Sequence, residues 1–401
     1  SVADTDTLTL STDTATLTGD GAWTVYSAVD SSGAQQTLAL AGAGTKTFED
    51  TIGGTLAVLR LTQADGSGAL TLRADTTVGA SGVDLQGNVV LDGLTLTSAG
   101  TVAIGTAAGS DTLAVTDTTL TNTDSSITTA AANQTITLNA VTTLTRNLTM
   151  SSGTAALTVN NTVDGSGPDV GQFVLNNSGA GANGTHINAD IGSTNRLAQF
   201  ATNDGAGADE TVWGNGATAN RTIRADRIAI ADNLILSGAA GYMFTLDDGT
   251  NNAAIPDVLV SGTVTGAFDL TIAGEGDKQF AGAIGTTGVG NGLGDGTGAS
   301  LVLSGVGTVS FDSTIDLDQG ISQSGTAGTV TFRDNVTVAG NTTGTTFDAN
   351  VVLDGMTFSS AGAAQIGTTP MDGDTLTLST GTATLTGDGA WTVYSAVDSS
   401  G

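Results

Sequence analysis

The chain has 401 residues, 58 of them glycine and none cysteine, with 39 acidic against 10 basic residues and a formal net charge of −29. That balance excludes a phosphate-binding surface, which needs clustered Lys and Arg to release counterions, so no nucleic-acid partner is expected; the lack of cysteine excludes disulfide staples and thiolate metal sites. A hydrophobic fraction of 39% with 12% charged residues excludes an acidic disordered chain, and 4% aromatics leave Val, Leu, Ile, Ala and Thr to build a core of thin stacked layers.

In chain order, the first predicted strand is Leu8-Thr9-Leu10, inside a stretch from Asp4 to Gly33 that reads DTDTLTLSTDTATLTGDGAWTVYSAVDSSG. Its cassette GDGAWTVY alternates inward and outward positions, so Trp23 and Val25 share one face while Thr24 and Tyr26 share the other. Trp23 and Tyr26, with their counterparts Trp391 and Tyr394, are the contact candidates: whichever aromatic is exposed makes a regular contact or sugar-stacking site, and the Trp is expected to plug the core. Further alternating runs follow at Leu70-Thr71-Leu72, Leu94-Thr95-Leu96 and Leu157-Thr158-Val159. Period-two alternation puts aliphatics on one face and Thr hydroxyls on the other, and β-branched Thr favours the strand. Turn clusters rich in Gly, Ser, Asp and Ala separate the runs, and no segment sustains a helical period.

Residues from 164 to 220 are less regular, with DGSGPD, NNSGAGANGT and NDGAGADET, and are expected to form loops on the wall of the fold. They hold the one histidine, His186, which has no nucleophile-elbow sequence around it and reads as a surface residue. Calcium is a candidate ligand here, because hard cations take several oxygens from acidic, glycine-containing turns. The candidates are Asp204, Asp209 and Glu210 in DGAGADE, and Asp295 in GLGDG. No other cofactor is expected. Adjacent acids at Asp4 and Asp6, Asp247 and Asp248, and Asp316 and Asp318 suit strand solvation and edge protection better than catalysis.

Two repeats organise the whole. VVLDGLTLTSAG from Val89 returns as VVLDGMTFSSAG from Val351, each followed by an Ile-Gly-Thr and a Thr-Leu run. The stretch from Asp372 to Gly401 repeats Asp4 to Gly33 with two changes, Thr5 to Gly373 and Asp13 to Gly381, so Trp391 and Tyr394 match Trp23 and Tyr26. Tandem duplication with a small aliphatic core predicts one continuous right-handed parallel β-helix over 1–401, with coils of about 20–25 residues stacked into an elongated rod, and a new copy of the unit beginning at 372. The competing fold is a series of antiparallel β-sandwich modules. No run reaches the length of a membrane span, and Ser1 shows no signal peptide, so the chain reads as an interior piece or mature form of something longer.

VVLDGLTLTSAGTVAIGT and ASLVLSGVGTVSFDSTIDL resemble the large β-strand-repeat exoproteins of Gram-negative bacteria, the filamentous-haemagglutinin-like and giant surface adhesins. The resemblance is one of style along nearly the whole chain. It implies a parallel β-solenoid, export to the cell surface and adhesive or matrix roles. The composition is also similar to that of surface-layer proteins. The expected function is thus a non-catalytic structural segment of an extracellular fibre or adhesin stalk. Its expected partners are copies of itself, end to end or side by side, and surface glycans. A calcium-stabilised surface-layer lattice and a carbohydrate-active β-helix enzyme are the alternatives.

Overall fold

The structure, a computed structural model, describes residues 6–33, 36–107, 110–118, 123–202, 209–217, 219–238, 242–249, 256–286, 292–305, 307–324, 328–340, 342–368 and 373–399. They fall into two units, Ser1–Ala198 and Gln199–Gly401. The chain is all-β, a parallel β-solenoid of about 15 turns, as the Leu/Thr alternation predicts. Antiparallel sandwich modules are thereby excluded. Among the described residues the one helical element is a 3-10 turn at Gly181–Asn183, and no helix is long and apolar enough to cross a membrane.

In the first unit each coil contributes to three ladders. One column runs Leu8, Val29, Ile52, Thr76, Leu96, Ile127, Met150 and Leu175. The second runs Leu17, Leu40, Gln63, Leu85, Ile104, Leu138, Val159 and Ile187. The third runs Val25, Phe48, Leu72, Leu91, Val115 and Leu144. Most strands alternate, as in Gln172–Asn177, where Phe173, Leu175 and Asn177 are buried and the residues between them are not. Inward side chains therefore stack on their counterparts one coil away. Each coil closes its neighbour's apolar surface, and burial accumulates by nearest-neighbour contact.

Coil length is not fixed. Val83 and its ladder partner Val102 are 19 residues apart, whereas Val102 and Ile136 are 34 apart. The variation is absorbed at the corners, where side chains form columns of their own. Asn160 donates to Asn139 (2.8 Å) and Asn188 donates to Asn160 (2.7 Å), so amides hydrogen-bond from coil to coil.

The second unit is also a three-ladder coil. Its first ladder carries the column Ile230, Val260, Phe280, Phe311, Phe332, Leu353 and Leu378. The second runs Leu234, Val264, Ile284, Ile315, Val336, Phe358 and Leu385. The third includes Phe244, Leu270, Leu301 and Ile321. Here the core departs from the expected small-residue filling. Phe311 and Phe332 stack at 5.4 Å and 11°, and Phe332 meets Phe347 and Phe358 edge-on at 5.7 and 5.6 Å. A low aromatic total thus conceals a local concentration, since nine of the ten phenylalanines in the chain are buried.

The loop-rich part expected at 164–220 contains the strands Gln172–Asn177, Thr185–Ile187, Gln199–Thr202 and Glu210–Ala217. Residues 203–208 and 218 lie outside the described residues.

Candidate functional site

The most distinctive sequence feature, the Trp/Tyr cassette, lies in a coil whose strands pair in the same register in both copies. Thr7–Leu10 pairs with Ala28–Ser31 in the first copy, and Thr375–Leu378 pairs with Ala396–Asp398 in the second, through equivalent residues. Trp23 sits edge-on to Phe48, ring centroids 5.8 Å apart at 80°. Trp391 sits edge-on to Phe358 at 5.4 Å and 88°, and its Nε1 donates to the Thr386 carbonyl at 3.3 Å. Both indoles are half-buried, whereas Tyr26 is 67% and Tyr394 40% exposed. The alternation assigns Trp inward and Tyr outward, and the two rings lie so. An exposed phenol beside outward Thr offers an apolar face and a hydroxyl, the surface that stacks on sugar rings or on another protein.

The calcium candidates are distributed. Asp204 lies outside the described residues. Asp209 is buried and Glu210 opens the strand that registers on Asn233. Asp295 lies against Asp269, whose carboxylate accepts the Asp295 amide at 3.4 Å, while Asp295 accepts the amide and hydroxyl of Thr297 at 2.8 and 2.7 Å. Burial, then the Asp295 charge, pushes the Asp269 carboxyl up to about 6. Among the described residues no group of three or more His, Asp or Glu side chains gathers as a metal cage, so Asp209, Glu210 and Asp295 do not share one site.

The acid pairs resolve differently. Asp247 and Asp248 are adjacent but serve opposite sides. Asp247 faces Arg224 at 2.9 Å, whereas Asp248 is fully buried and faces the Lys278 ammonium at 3.1 Å. Burial raises the Asp248 carboxyl above the usual range despite that cation. Asp316 sits at an outward position in register with Thr337, and Asp318, whose amide donates to Leu293, is raised by burial. Asp6 is exposed, and Asp4 lies outside the described residues. His186 occupies an outward position beside Thr158, with its Nδ1 buried and without a hydrogen-bond partner. A catalytic triad needs that nitrogen oriented by a carboxylate.

Two further devices emerge only in the folded chain. Ala41-Gly42-Ala43-Gly44-Thr45-Lys46-Thr47-Phe48 and Ala273-Gly274-Glu275-Gly276-Asp277-Lys278-Gln279-Phe280 share the pattern A-G-x-G-x-K-x-F. In each, the lysine takes an inward position and its ammonium caps the preceding turn. Lys46 Nζ donates to the carbonyls of Gly42 (2.8 Å) and Gly44 (2.7 Å), and Lys278 Nζ to those of Gly274 (3.1 Å) and Gly276. Burial lowers the Lys46 ammonium. The second device follows the VVLDG echo. Arg73 bridges Glu49 and Asp92, and Asp92 accepts from Thr116 and Thr118 on the next coil. Asp354 in the echo accepts from Ser379 (2.8 Å) and Thr380, and Arg333, one coil back, pairs with Asp312 and adds its charge to Asp354. These are corner columns of alternating charge, one residue past an inward hydrophobe. They tie coil to coil.

Compared with family models, with curated proteins and with solved structures, the chain matches none.

Proposed function

We propose that this chain is a structural repeat segment of a long extracellular bacterial surface fibre or adhesin stalk, without catalytic activity. The observation that carries the reading is the cassette: one 30-residue stretch is present twice with two differences, and its described strands pair with the same internal register in both copies. A protein selected for one pocket has no use for a repeated coil, whereas a protein selected for reach gains length by adding copies. The ion pairs, Asn columns and buried lysines described above all act between coils or within turns. The exposed Tyr26 and Tyr394 would recur once per repeat and present evenly spaced contacts to surface glycans or to a neighbouring fibre.

The test is to express chains with one, two and three copies in a secreting bacterial host. The fibre reading expects protease-accessible material at the cell surface and, in electron micrographs, particles that lengthen by a constant increment per copy. Particles of constant size, or material retained inside the cell, would overturn it. A calcium-stabilised surface-layer lattice is the second reading, supported by the Asp269–Asp295 pair. Release of the protein from cells by a chelator would favour that lattice.

A further inference from the structure

Among the described residues, the cassette coil pairs with a neighbouring coil on one side only in each of its copies, and the covered sides differ. In the first copy the following coil covers it: Leu17 pairs with Leu40, Trp23 with Lys46 and Val29 with Ile52. In the second the preceding coil covers it: Leu376 pairs with Val351, Leu385 with Phe358 and Trp391 with Ala364. Laying one copy on the other continues all three ladders without a break. The first then runs Val351, Leu376 or Leu8, Val29, Ile52. The second runs Phe358, Leu385 or Leu17, Leu40. The third runs Ala364, Trp391 or Trp23, Lys46.

What each copy leaves open is what the other has closed. Leu8 is 39% exposed, and with Leu17, Trp23 and Val25 it borders an open apolar concavity of about 300 Å³. Its equivalent Leu376 is 2% exposed beneath the preceding coil. Conversely, Val397 is 61% exposed, whereas its equivalent Val29 is fully buried by the following coil. The glycines agree. A methyl group at Gly389 would lie 1.7 Å from the Gly362 carbonyl oxygen, so close approach of the preceding coil requires glycine there. Its equivalent Gly21 would meet nothing within 4 Å, yet it is glycine too.

We infer that the chain joins a second copy of its own sequence, in tandem, through one shared cassette coil, with the cassette indole closed between Phe358 on one side and the next copy's equivalent of Phe48 on the other. The period of the join is 368 residues, the spacing of Trp23 and Trp391. A separate chain would carry its own cassette over Lys46 and Phe48, which blocks the seam, so the join is within one polypeptide. The inference rests on the repeat-segment part of the proposed function and not on where the fibre is located.

The experiment compares the 401-residue chain with a doubled chain in which residues 34–401 follow Gly401 directly. Trp23, every copy of Trp213 and, in the doubled chain, the second copy of Trp391 are replaced by Phe, so that the Trp391 at the join is the one reporter. In the doubled chain its emission should shift to the blue and acrylamide quenching should fall at least threefold. An unchanged spectrum and unchanged quenching would overturn the join. If the Phe replacements prevent folding, hydrogen exchange of the unsubstituted chains tests the same seam. In the doubled chain the segment 373–399 occurs twice, and the copy at the join should exchange at least tenfold more slowly than the terminal copy, giving two populations; a single population exchanging as in the 401-residue chain would overturn the inference. Both measurements use purified protein, so an intact seam in a chain that never reaches the cell surface would sink the fibre reading and leave the join standing.

Discussion

The two units solve one packing problem with different side chains. In Ser1–Ala198 the inward columns are mostly aliphatic and the buried Lys46 is satisfied by turn carbonyls alone. In Gln199–Gly401 phenylalanines stack along the column, and the equivalent Lys278 also faces a buried carboxylate, Asp248. Three-ladder geometry therefore fixes where a residue points, not what it must be. Two conditions are common to both units: the volume between coils is filled, and every buried charge finds oxygen or nitrogen partners.

The largest expected effect lies in the lysine comparison. Lys278→Met leaves Asp248 buried without its cation and should cost the second unit about 3–5 kcal/mol. Lys46→Met strands only glycine carbonyls and should cost about 1–3 kcal/mol. Local stability measured by hydrogen exchange in each unit checks the ordering; equal losses would mean that Asp248 contributes nothing as a partner. Adding Asp248→Leu to Lys278→Met should recover part of the loss, because an apolar pair replaces an orphaned acid. Next comes the glycine pair of the cassette. Gly389→Ala should destabilise its coil by about 1–3 kcal/mol through the forced displacement of Gly362, while Gly21→Ala should leave the 401-residue chain unchanged. Thermal unfolding of the two variants distinguishes them. Smaller again is Phe332→Leu, which removes a stacked ring but keeps an apolar side chain and should cost the second unit about 1.5 kcal/mol or less. The aliphatic column of the first unit offers the converse: Leu91→Phe adds a ring where no stack awaits it, and the measured loss there should be the larger of the two.

The solenoid was legible because alternation of Leu or Val with Thr survives any coil length. Leu157-Thr158-Val159 is a rung whether its partner is 21 or 28 residues away. Trp inward and Tyr outward were legible for the same reason. What the alternation could not give was which rungs stack, since coil lengths range so widely. Asp269 and Asp295 therefore met unforeseen, 26 residues apart with no motif linking them. The Phe stack was hidden because composition averages over both units. The buried lysines had a signal, A-G-x-G-x-K-x-F at 41–48 and 273–280, but lysine is read by default as a surface residue, and only the turn carbonyls explain why it is not. Asp247 and Asp248 are neighbours in sequence and opposites in environment, as period two requires of adjacent strand-end residues.

Two strands, one in each unit, should also answer pH in opposite senses, and this is the smallest of the expected effects. Burial pushes the Asp92 carboxyl up, but hydrogen bonds from Thr118 and Thr116 and the charge of Arg73 outweigh it and hold the group below the ordinary carboxylate range. Its folded form binds the proton less tightly than the unfolded form. The stabilisation is therefore present above the ordinary Asp range, near pH 4, and is lost as pH falls through the lowered folded value. Asp269 is the reverse, with its folded value raised from 3.8 to about 6 by burial and by Asp295. The folded form holds the proton more tightly, so its contribution is complete below the unfolded value and is lost as pH rises through about 6. Hydrogen exchange corrected for intrinsic rate should show protection of Asp269–Ala273 falling between about pH 4 and pH 6.5, while that of Val89–Asp92 holds steady or rises. Asp295→Asn should flatten the first trend only in part, because burial is the larger cause of the shift and remains in the variant. Parallel trends in the two strands would mean that corner carboxylates respond to the net charge of the chain and not to the oxygens and amides placed around them.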